Sequence, residues 1–328
     1  MGKWLPTALL VVVAVVILMG ILRIAQEKTQ AWTTPEVRGD AEERNQSDTV
    51  LIYNGVAYRL RNKITTVLVM GIDDGGKIPS SKYRAGGQAD FLRLIIFDDE
   101  NKTLAQVAID RDTITPITVL GISGKPSGKR DDHISLSHSF GQGGADSCLL
   151  TVKAVSELLA NLPIDHFIAL DVDGVAVLND ALGGVPVTVQ QDLTAWDASW
   201  VPGAQITLYG DQAEEFVRGR MSVGNGTNAE RMSRQEQYMA AAYDIVMQKQ
   251  KEDGTFTTSL YNDMKDYMTM SASRGLLVNR LSTLNRYTKL ETRTLPGEHS
   301  IDAGGFTQFI VDKAGMVDMI LELCYEII

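Results

Sequence analysis

The sequence is short of the residues that build soft-metal and redox sites. Cys148 and Cys324 are its two cysteines, and His133, His138, His166 and His299 its four histidines. Their number and spacing exclude a cysteine-only zinc site and argue against a histidine-rich transition-metal site. The cysteines leave two alternatives, one disulfide or two buried thiols. Basic charge is also in deficit, since 31 Lys and Arg stand against 41 Asp and Glu, a net charge of -10. That balance argues against general nucleic-acid binding, and any anionic ligand needs a local arginine cluster. Internal repeats are absent. Long apolar runs are scarce, and the one that stands out is Leu5 to Leu22, which carries no charged side chain.

At about 1.5 Å of rise per residue that run spans roughly 27 Å, near the hydrocarbon thickness of a bilayer. A secretory signal peptide shares the basic start and the apolar run, but it ends in a small-x-small cleavage site. This run ends in Leu22-Arg23-Ile24-Ala25-Gln26. The expectation is therefore an uncleaved signal-anchor, one transmembrane helix over 5–22. Lys3 lies on one side, Arg23 and Lys28 on the other, so charge counting leaves the orientation open. Residues 29–49 are polar and read as a stalk. The rest has the make-up of a folded globular protein, with 44% hydrophobic and 22% charged residues over the chain.

β-Branched runs predict strands at Thr66–Met70, Phe91–Phe97 and Thr103–Ile109, and the turn at 98–101 predicts an antiparallel hairpin between the last two. Apolar periodicity predicts a helix over Ser147–Ala160. A strand follows at Asp165–Leu170, then a helix capped by Asp173 and ended by Gly183-Gly184, then a strand from Val185. Two helices, 210–217 and 233–248, flank the Gly224-Asn225-Gly226 loop. The tail holds a helix at 271–284, a Leu-Pro-Gly turn at 295–297 and a helix from Lys313 to Cys324. Mixed strands and helices with a hairpin give an α/β or α+β domain.

Two sets of residues could carry chemistry. Asp73 ends one strand and Asp90 begins another, and carboxylates so placed can converge on a hard cation such as magnesium. Strand capping or simple solvation is the alternative. The arginines signal more strongly. Arg218 and Arg220 are two apart, while Arg231 and Arg234 are three apart at the start of a helix, with Gln235 beside them. Basic residues at a helix N-terminus oppose the macrodipole, and the free N–H groups there suit an anion, as do charge-assisted guanidinium bonds. A salt-bridged surface using Glu214, Glu215, Glu230 and Glu236 is the competing account. Arg111, just after the third strand, is a fifth candidate.

The string Val67-Leu68-Val69-Met70-Gly71-Ile72-Asp73, then Ala89-Asp90, then Ile109-Asp110-Arg111-Asp112-Thr113, resembles the opening of the LytR-CpsA-Psr family of cell-envelope glycopolymer transferases. The likeness runs on through His138-Ser139-Phe140-Gly141, Pro163-Ile164-Asp165-His166-Phe167 and Leu178-Asn179-Asp180-Ala181-Leu182-Gly183-Gly184. It continues in Phe216-Val217-Arg218-Gly219-Arg220 and Arg231-Met232-Ser233-Arg234-Gln235, covering roughly 60 to 325. The resemblance implies a single domain with a mixed central sheet flanked by helices, preceded by one transmembrane helix. Its implied layout is a cytoplasmic N-terminus (1–4), a membrane helix (5–22), a stalk (23–59) and an extracytoplasmic domain (60–328), single-pass at the cell membrane of a bacterium, Gram-positive by type. It also implies that Asp73 and Asp90 hold Mg2+ and that Arg111, Arg218, Arg220, Arg231, Arg234 and Gln235 surround a pyrophosphate. Asp90, Arg111, Arg218 and Arg220 would be the catalytic residues. The implied reaction is a phosphotransfer from a polyprenyl-pyrophosphate-linked glycan donor to a peptidoglycan hydroxyl.

Five positions depart from the family pattern, among them Ala89, where serine is usual, and Asn228, near a usual aspartate. Gln88 stands where arginine is common, Asp110 where proline is usual and His133 where lysine is common. These departures keep open a non-catalytic protein that binds lipid-linked glycan. A polyprenyl-pyrophosphate phosphatase, with water in place of the sugar hydroxyl, is the other rival.

Overall fold

The structure is a computed structural model that describes residues 50–73, 86–121, 124–219, 223–271 and 286–328. In chain order these form β1 (Val50–Tyr53), β2 (Val56–Leu60), β3 (Ile64–Asp73), β4 (Gln88–Asp98), β5 (Thr103–Ile109), β6 (Ile114–Leu120), β7 (Pro126–His133), α1 (Leu136–Ser139), α2 (Gly144–Leu158) and β8 (His166–Asp171). They continue as α3 (Gly174–Leu182), β9 (Val185–Thr188), β10 (Gln205–Leu208), α4 (Asp211–Arg218), α5 (Asn228–Glu252), α6 (Phe256–Met264) and β11 (Met268–Met270). The tail supplies β12 (Thr288–Lys289), β13 (Arg293–Thr294), β14 (Gly297–Ile301), β15 (Thr307–Val311), α7 (Lys313–Cys324) and β16 (Tyr325–Ile327).

The main sheet has seven strands in the order β11-β8-β3-β4-β5-β12, with β13 also on β5. β3–β4 and β4–β5 are antiparallel, whereas β12 and β13 run parallel to β5, so the sheet is mixed as expected. Its middle strands are buried along most of their length, as their near-continuous apolar runs require. Leu68, Met70, Leu94, Ile96 and Leu104 have almost no exposed surface. The chain falls into two compact units, one of residues 169–269 and the other made of the described parts of 27–168 and 284–328 with 270 and 271.

In the sheet-bearing unit, the Leu162-Pro163 turn is tied to β3. Thr66 Oγ1 donates to the Pro163 carbonyl (2.8 Å), and the Thr66 N–H donates to Asp165 Oδ2 (2.9 Å). Residues 50–60, all but the last of which fell within the expected stalk (23–59), form a hairpin whose second strand pairs with the C-terminal β16. Arg61 closes α7 by donating to the carbonyls of Glu322 and Leu323 and pairs with Asp98 at 3.1 Å.

In the helical unit, α3 ends as its Gly-Gly pair predicts. Gly183 takes φ +80° and Gly184 donates to the Asn179 carbonyl at 3.0 Å. Asp173 sits at the N-cap but its side chain makes no cap bond; its own N–H instead donates to Asp171 at 3.2 Å. The buried Asn179 amide donates to Leu208 O (2.9 Å) and accepts from Tyr238 OH (3.2 Å), tying α3, β10 and α5 together.

One expectation is corrected here. Among the described residues no helix is long and apolar enough to cross a membrane. The transmembrane helix, signal-anchor and membrane partnership expected of Leu5–Leu22 fall on residues outside those described. The single-pass localisation therefore does not stand on this structure. The helix expected at 271–284 also falls almost wholly outside the described residues.

Candidate functional site

In the sheet-bearing unit the candidate residues gather where β4 begins and β5 ends. The β3–β4 ladder runs Gly71 against Phe91 and then Ile72 against Ala89, so Asp90 is the extra residue of a β-bulge. A bulge breaks the alternation of a strand and re-aims one side chain. Here that side chain is Asp90, whose Oδ1 lies 2.5 Å from Arg111 Nη1. The pairing follows from register. Leu92 opposes Ile109 at the end of the β4–β5 ladder, and two residues further on each strand stand Asp90 and Arg111.

Arg111 is held from three sides. Besides Asp90, its Nε donates to Asp112 Oδ1 (3.2 Å) and its Nη2 to Gln88 Oε1 (2.9 Å). Asp112 is buried, and the pairing side chains of Arg111 and Asp90 are about 14% and 16% exposed. Gln88 thus offers Arg111 an acceptor oxygen that an arginine at this position could not. Asp73, opposite Gln88 in the ladder, closes β3.

The backbone beneath this cluster is fixed by α1 and its flanks. Ser135 O accepts from Ala89 N (3.0 Å) while Ser135 N donates to Arg111 O (3.2 Å), so one residue braces both strand ends. Ser139 Oγ donates to Gly87 O at 2.7 Å. A Cβ on Gly86 would collide with the His138 carbonyl and Ser147 Oγ, and one on Gly141 would collide with Ser147. The His138-to-Gly141 string is therefore a support for β4. His138 Nε2 lies 3.6 Å from Cys148 Sγ. Burial holds the His138 pKa below its ordinary value, against a smaller opposing pull from the backbone of Gly86 and Gly87. Burial also pushes the Cys148 and Cys324 thiols up to about 12. Both cysteines are free and buried, so the thiol alternative holds and neither is an activated nucleophile.

Two departures from the family pattern have structural partners. Asp110 Oδ1 accepts from Asp112 N (2.8 Å), and its Oδ2 lies 3.0 Å from His299 Nε2. His133 Nε2 lies 2.8 Å from Thr307 O, with its Nδ1 3.3 Å from Asp132. The β14–β15 hairpin carries His299 and Thr307, so both positions serve its attachment.

In the helical unit the arginines gather at the end of α4 and the start of α5. The Thr227 side chain caps α5 by accepting from Glu230 N (3.3 Å), a Thr-x-x-Glu signal readable in the sequence. The helix thus begins at Asn228, five residues before the predicted start, and Arg231 and Arg234 lie in its first two turns. Arg231 Nη2 donates to Asn228 Oδ1 at 2.6 Å. Arg218 ends α4 and pairs with Glu214 at 2.8 Å, one turn earlier. Of the acidic partners considered, Glu230 is engaged by Asn225 through its N–H (2.8 Å) and Nδ2 (3.0 Å).

Arg234 is 3% exposed and its bonds go mainly to main chain. Nε donates to Phe216 O (2.8 Å), Nη2 donates to Gly219 O, and Nη1 reaches Gln191 Oε1 at 3.4 Å. Its guanidinium lies over the Trp196 ring, 5.2 Å from the centroid. Gln235 Nε2 donates to Val217 O at 3.0 Å. Desolvation pushes the Arg234 pKa down to about 10, which leaves it a cation at neutral pH. Arg220 lies outside the described residues. Gln88, Asp112 and Ser135 were not among the predicted site residues. Asp112 had a signal in its place beside Arg111, while Gln88 and Ser135 act through contacts that sequence spacing does not encode.

The LytR_cpsA_psr family matches residues 25–323. The polyisoprenyl-teichoic acid–peptidoglycan teichoic acid transferase TagU of Bacillus mycoides is 26% identical over 261 residues, covering 79% of this chain and 77% of that protein. A solved structure of a Streptococcus agalactiae protein matches with TM-score 0.63 at 18% identity, covering 80% of this chain and 86% of its own. The crystal structure of Bacillus subtilis TagU matches with TM-score 0.52 at 21% identity, covering 79% and 95%. At these identities the two structures share the fold.

Proposed function

The chain belongs to the LytR-CpsA-Psr family of glycopolymer-attaching proteins, and we propose that it is a phosphotransferase that moves a glycopolymer from a polyprenyl-pyrophosphate-linked donor onto peptidoglycan. The observation that carries this reading is the gathering of Arg218 and the buried Arg231 at the end of one helix and the start of the next. Guanidinium groups beside a helix N-terminus match phosphate oxygens in charge and in donor geometry. Arg218 and Arg231, with Arg220 from outside the described residues, supply positive charge for the donor's phosphates and for the lipid phosphate as it leaves. TagU, named for its action on teichoic acid and peptidoglycan, supports the class of donor and acceptor.

Asp73 and Asp90 would hold a magnesium ion, whose chemistry is to screen charge on phosphate oxygens. Their hard oxygen donors fit that ion. Among the described residues no group of three or more metal-ligating side chains gathers, which a magnesium kept by two carboxylates and substrate phosphates does not require. Arg111 fixes the direction of the Asp90 carboxylate, which would take the proton of the acceptor hydroxyl.

The test is to incubate the purified full-length chain with a polyprenyl-pyrophosphate-linked saccharide, magnesium and peptidoglycan fragments. Saccharide joined to the fragments is the expected product. Released phosphates without joining would replace the reading with hydrolysis, and binding without turnover would replace it with a carrier. Asp90→Asn and Arg218→Ala should each lower joining by about 100-fold or more, and unchanged joining in either would overturn the assigned roles.

A further inference from the structure

We propose that Arg234, helped by the Gln235 amide, is a positioning residue that fixes the C-terminal end of α4 and so aims Arg218, and that Arg234 does not touch the donor. This rests on the reading of Arg218 as a phosphate contact. A helix ends with carbonyls that have no partner within it. At the end of α4 three carbonyls of the last turn and C-cap, those of Phe216, Val217 and Gly219, are taken by Arg234 Nε, Gln235 Nε2 and Arg234 Nη2. A cation there is also favoured by the helix dipole. The same two residues therefore do the work of a C-cap for a different helix.

The surroundings leave Arg234 little freedom to do anything else. It is buried, with Gln191 on Nη1 and the Trp196 ring against its guanidinium. Trp196 in turn packs edge-on against Trp200, and Trp200 against Phe216 of α4. Gly219 is pressed onto the same indole, since a Cβ at that position would run into the Trp196 ring. The chain from Phe216 to Gly219 is thus clamped by main-chain bonds on one residue pair and by an aromatic stack. Arg218 lies inside that clamped stretch and is itself half exposed, its side chain on Glu214. A half-exposed guanidinium rooted in a fixed backbone is the arrangement of a ligand contact. A buried guanidinium bonded to carbonyls is that of a support.

A double-mutant cycle on the full-length chain decides the matter, read by calorimetric binding of farnesyl pyrophosphate as a soluble polyprenyl pyrophosphate. Arg218→Ala and Arg234→Met should each weaken binding by about tenfold, and the double variant should be no weaker than either single one within about twofold. Arg234→Lys should fail to rescue, because one ammonium cannot span the Phe216 and Gly219 carbonyls. Losses that multiply to about a hundredfold, or rescue by lysine, would overturn the proposal in favour of direct contact.

Amide exchange of the ligand-free chain provides an arm independent of donor binding. Arg234→Met and the milder Gln235→Ala should each speed exchange over 216–219 by about tenfold or more, with Arg218→Ala leaving it unchanged. Unchanged exchange in both support variants would sink the positioning role even if binding falls. Faster exchange together with no effect of Arg218→Ala on farnesyl pyrophosphate would keep the clamp and overturn the reading of Arg218 on which the proposal rests.

Discussion

Arg111 and Arg234 are both largely withdrawn from water, yet their company is opposite. Arg111 is met by two carboxylates and an amide oxygen, those of Asp90, Asp112 and Gln88. Arg234 is met by main-chain carbonyls, an amide oxygen and an indole face. Around Arg111 the formal charges of the three ionised groups sum to negative, which suits a region that gains by taking a cation. Around Arg234 the bonded partners are dipoles, and the one carboxylate that acts on its charge, Glu230, is turned to Asn225 and opposed by the neighbouring Arg231. The difference teaches that an arginine in a motif can act as a counter-ion in one region and as a backbone clamp in another. Residue type alone does not separate the two.

The comparison breaks first on stability. Removing one member of a buried ion pair leaves the other charge uncompensated, so Arg111→Met should lower the unfolding free energy by about 3 kcal/mol in urea titrations. Adding Asp90→Asn should recover part of that loss, because the orphaned carboxylate is neutralised. A double variant as unstable as the single one would show that Arg111 is held by something other than its charges. In the helical unit the matching weak point is steric. Gly219→Ala should cost about 2 kcal/mol through the clash with Trp196, and a silent substitution would mean that the indole gives way.

A third expected effect separates the units by pH. His138 is buried beside the backbone that leads into β4, with its pKa lowered by desolvation, whereas residues 169–269 contain no histidine. The folded state resists protonating His138, so the unfolded chain binds more protons below pH 6.5 and stability falls as pH drops from there toward the lowered value. One such group contributes a slope of at most about 1.4 kcal/mol per pH unit. His138→Asn should flatten the fall in urea stability between pH 6.5 and 5.5, and amide exchange should show the loosening around residues 86–90. An identical slope in the variant would remove His138 from the account.

Much of this was legible in the sequence, and the limits were physical. β5 matches its predicted span and α7 its predicted ends, because a β-branched run and an apolar period bounded by turn residues leave few alternatives. β3 and β4 proved longer than their apolar cores, since their ends carry Asp73, Gln88 and Asp90, polar residues that fall outside the apolar runs by which the strands are read. The bulge at Asp90 had no local signal; it exists only in the mismatch of two strands. Likewise Arg234 stood out as a basic residue in a helix's first turns, but its acceptors, Phe216 and Gly219, are carbonyls fifteen or more positions away. Backbone acceptors are the same at every residue, so no sequence pattern announces which of them a side chain will find.

The smallest stability effect is expected at Arg218, and there the contrast between support and contact is sharpest. Its pair with Glu214 is an i,i+4 helix pair at the surface, with side chains about 38% and 23% exposed. Such pairs contribute about 0.5 kcal/mol or less, because water screens the charges and two long side chains lose freedom in making the bond. Arg218→Ala should therefore leave the urea midpoint almost unmoved while joining of glycan to peptidoglycan collapses. Arg111→Met should lose both together, since there the charge that serves the site also holds the fold. If Arg218→Ala proves as destabilising as Arg111→Met, the exposed arginine of α4 is a structural residue after all, and the anion-binding role must pass to Arg231 or Arg220.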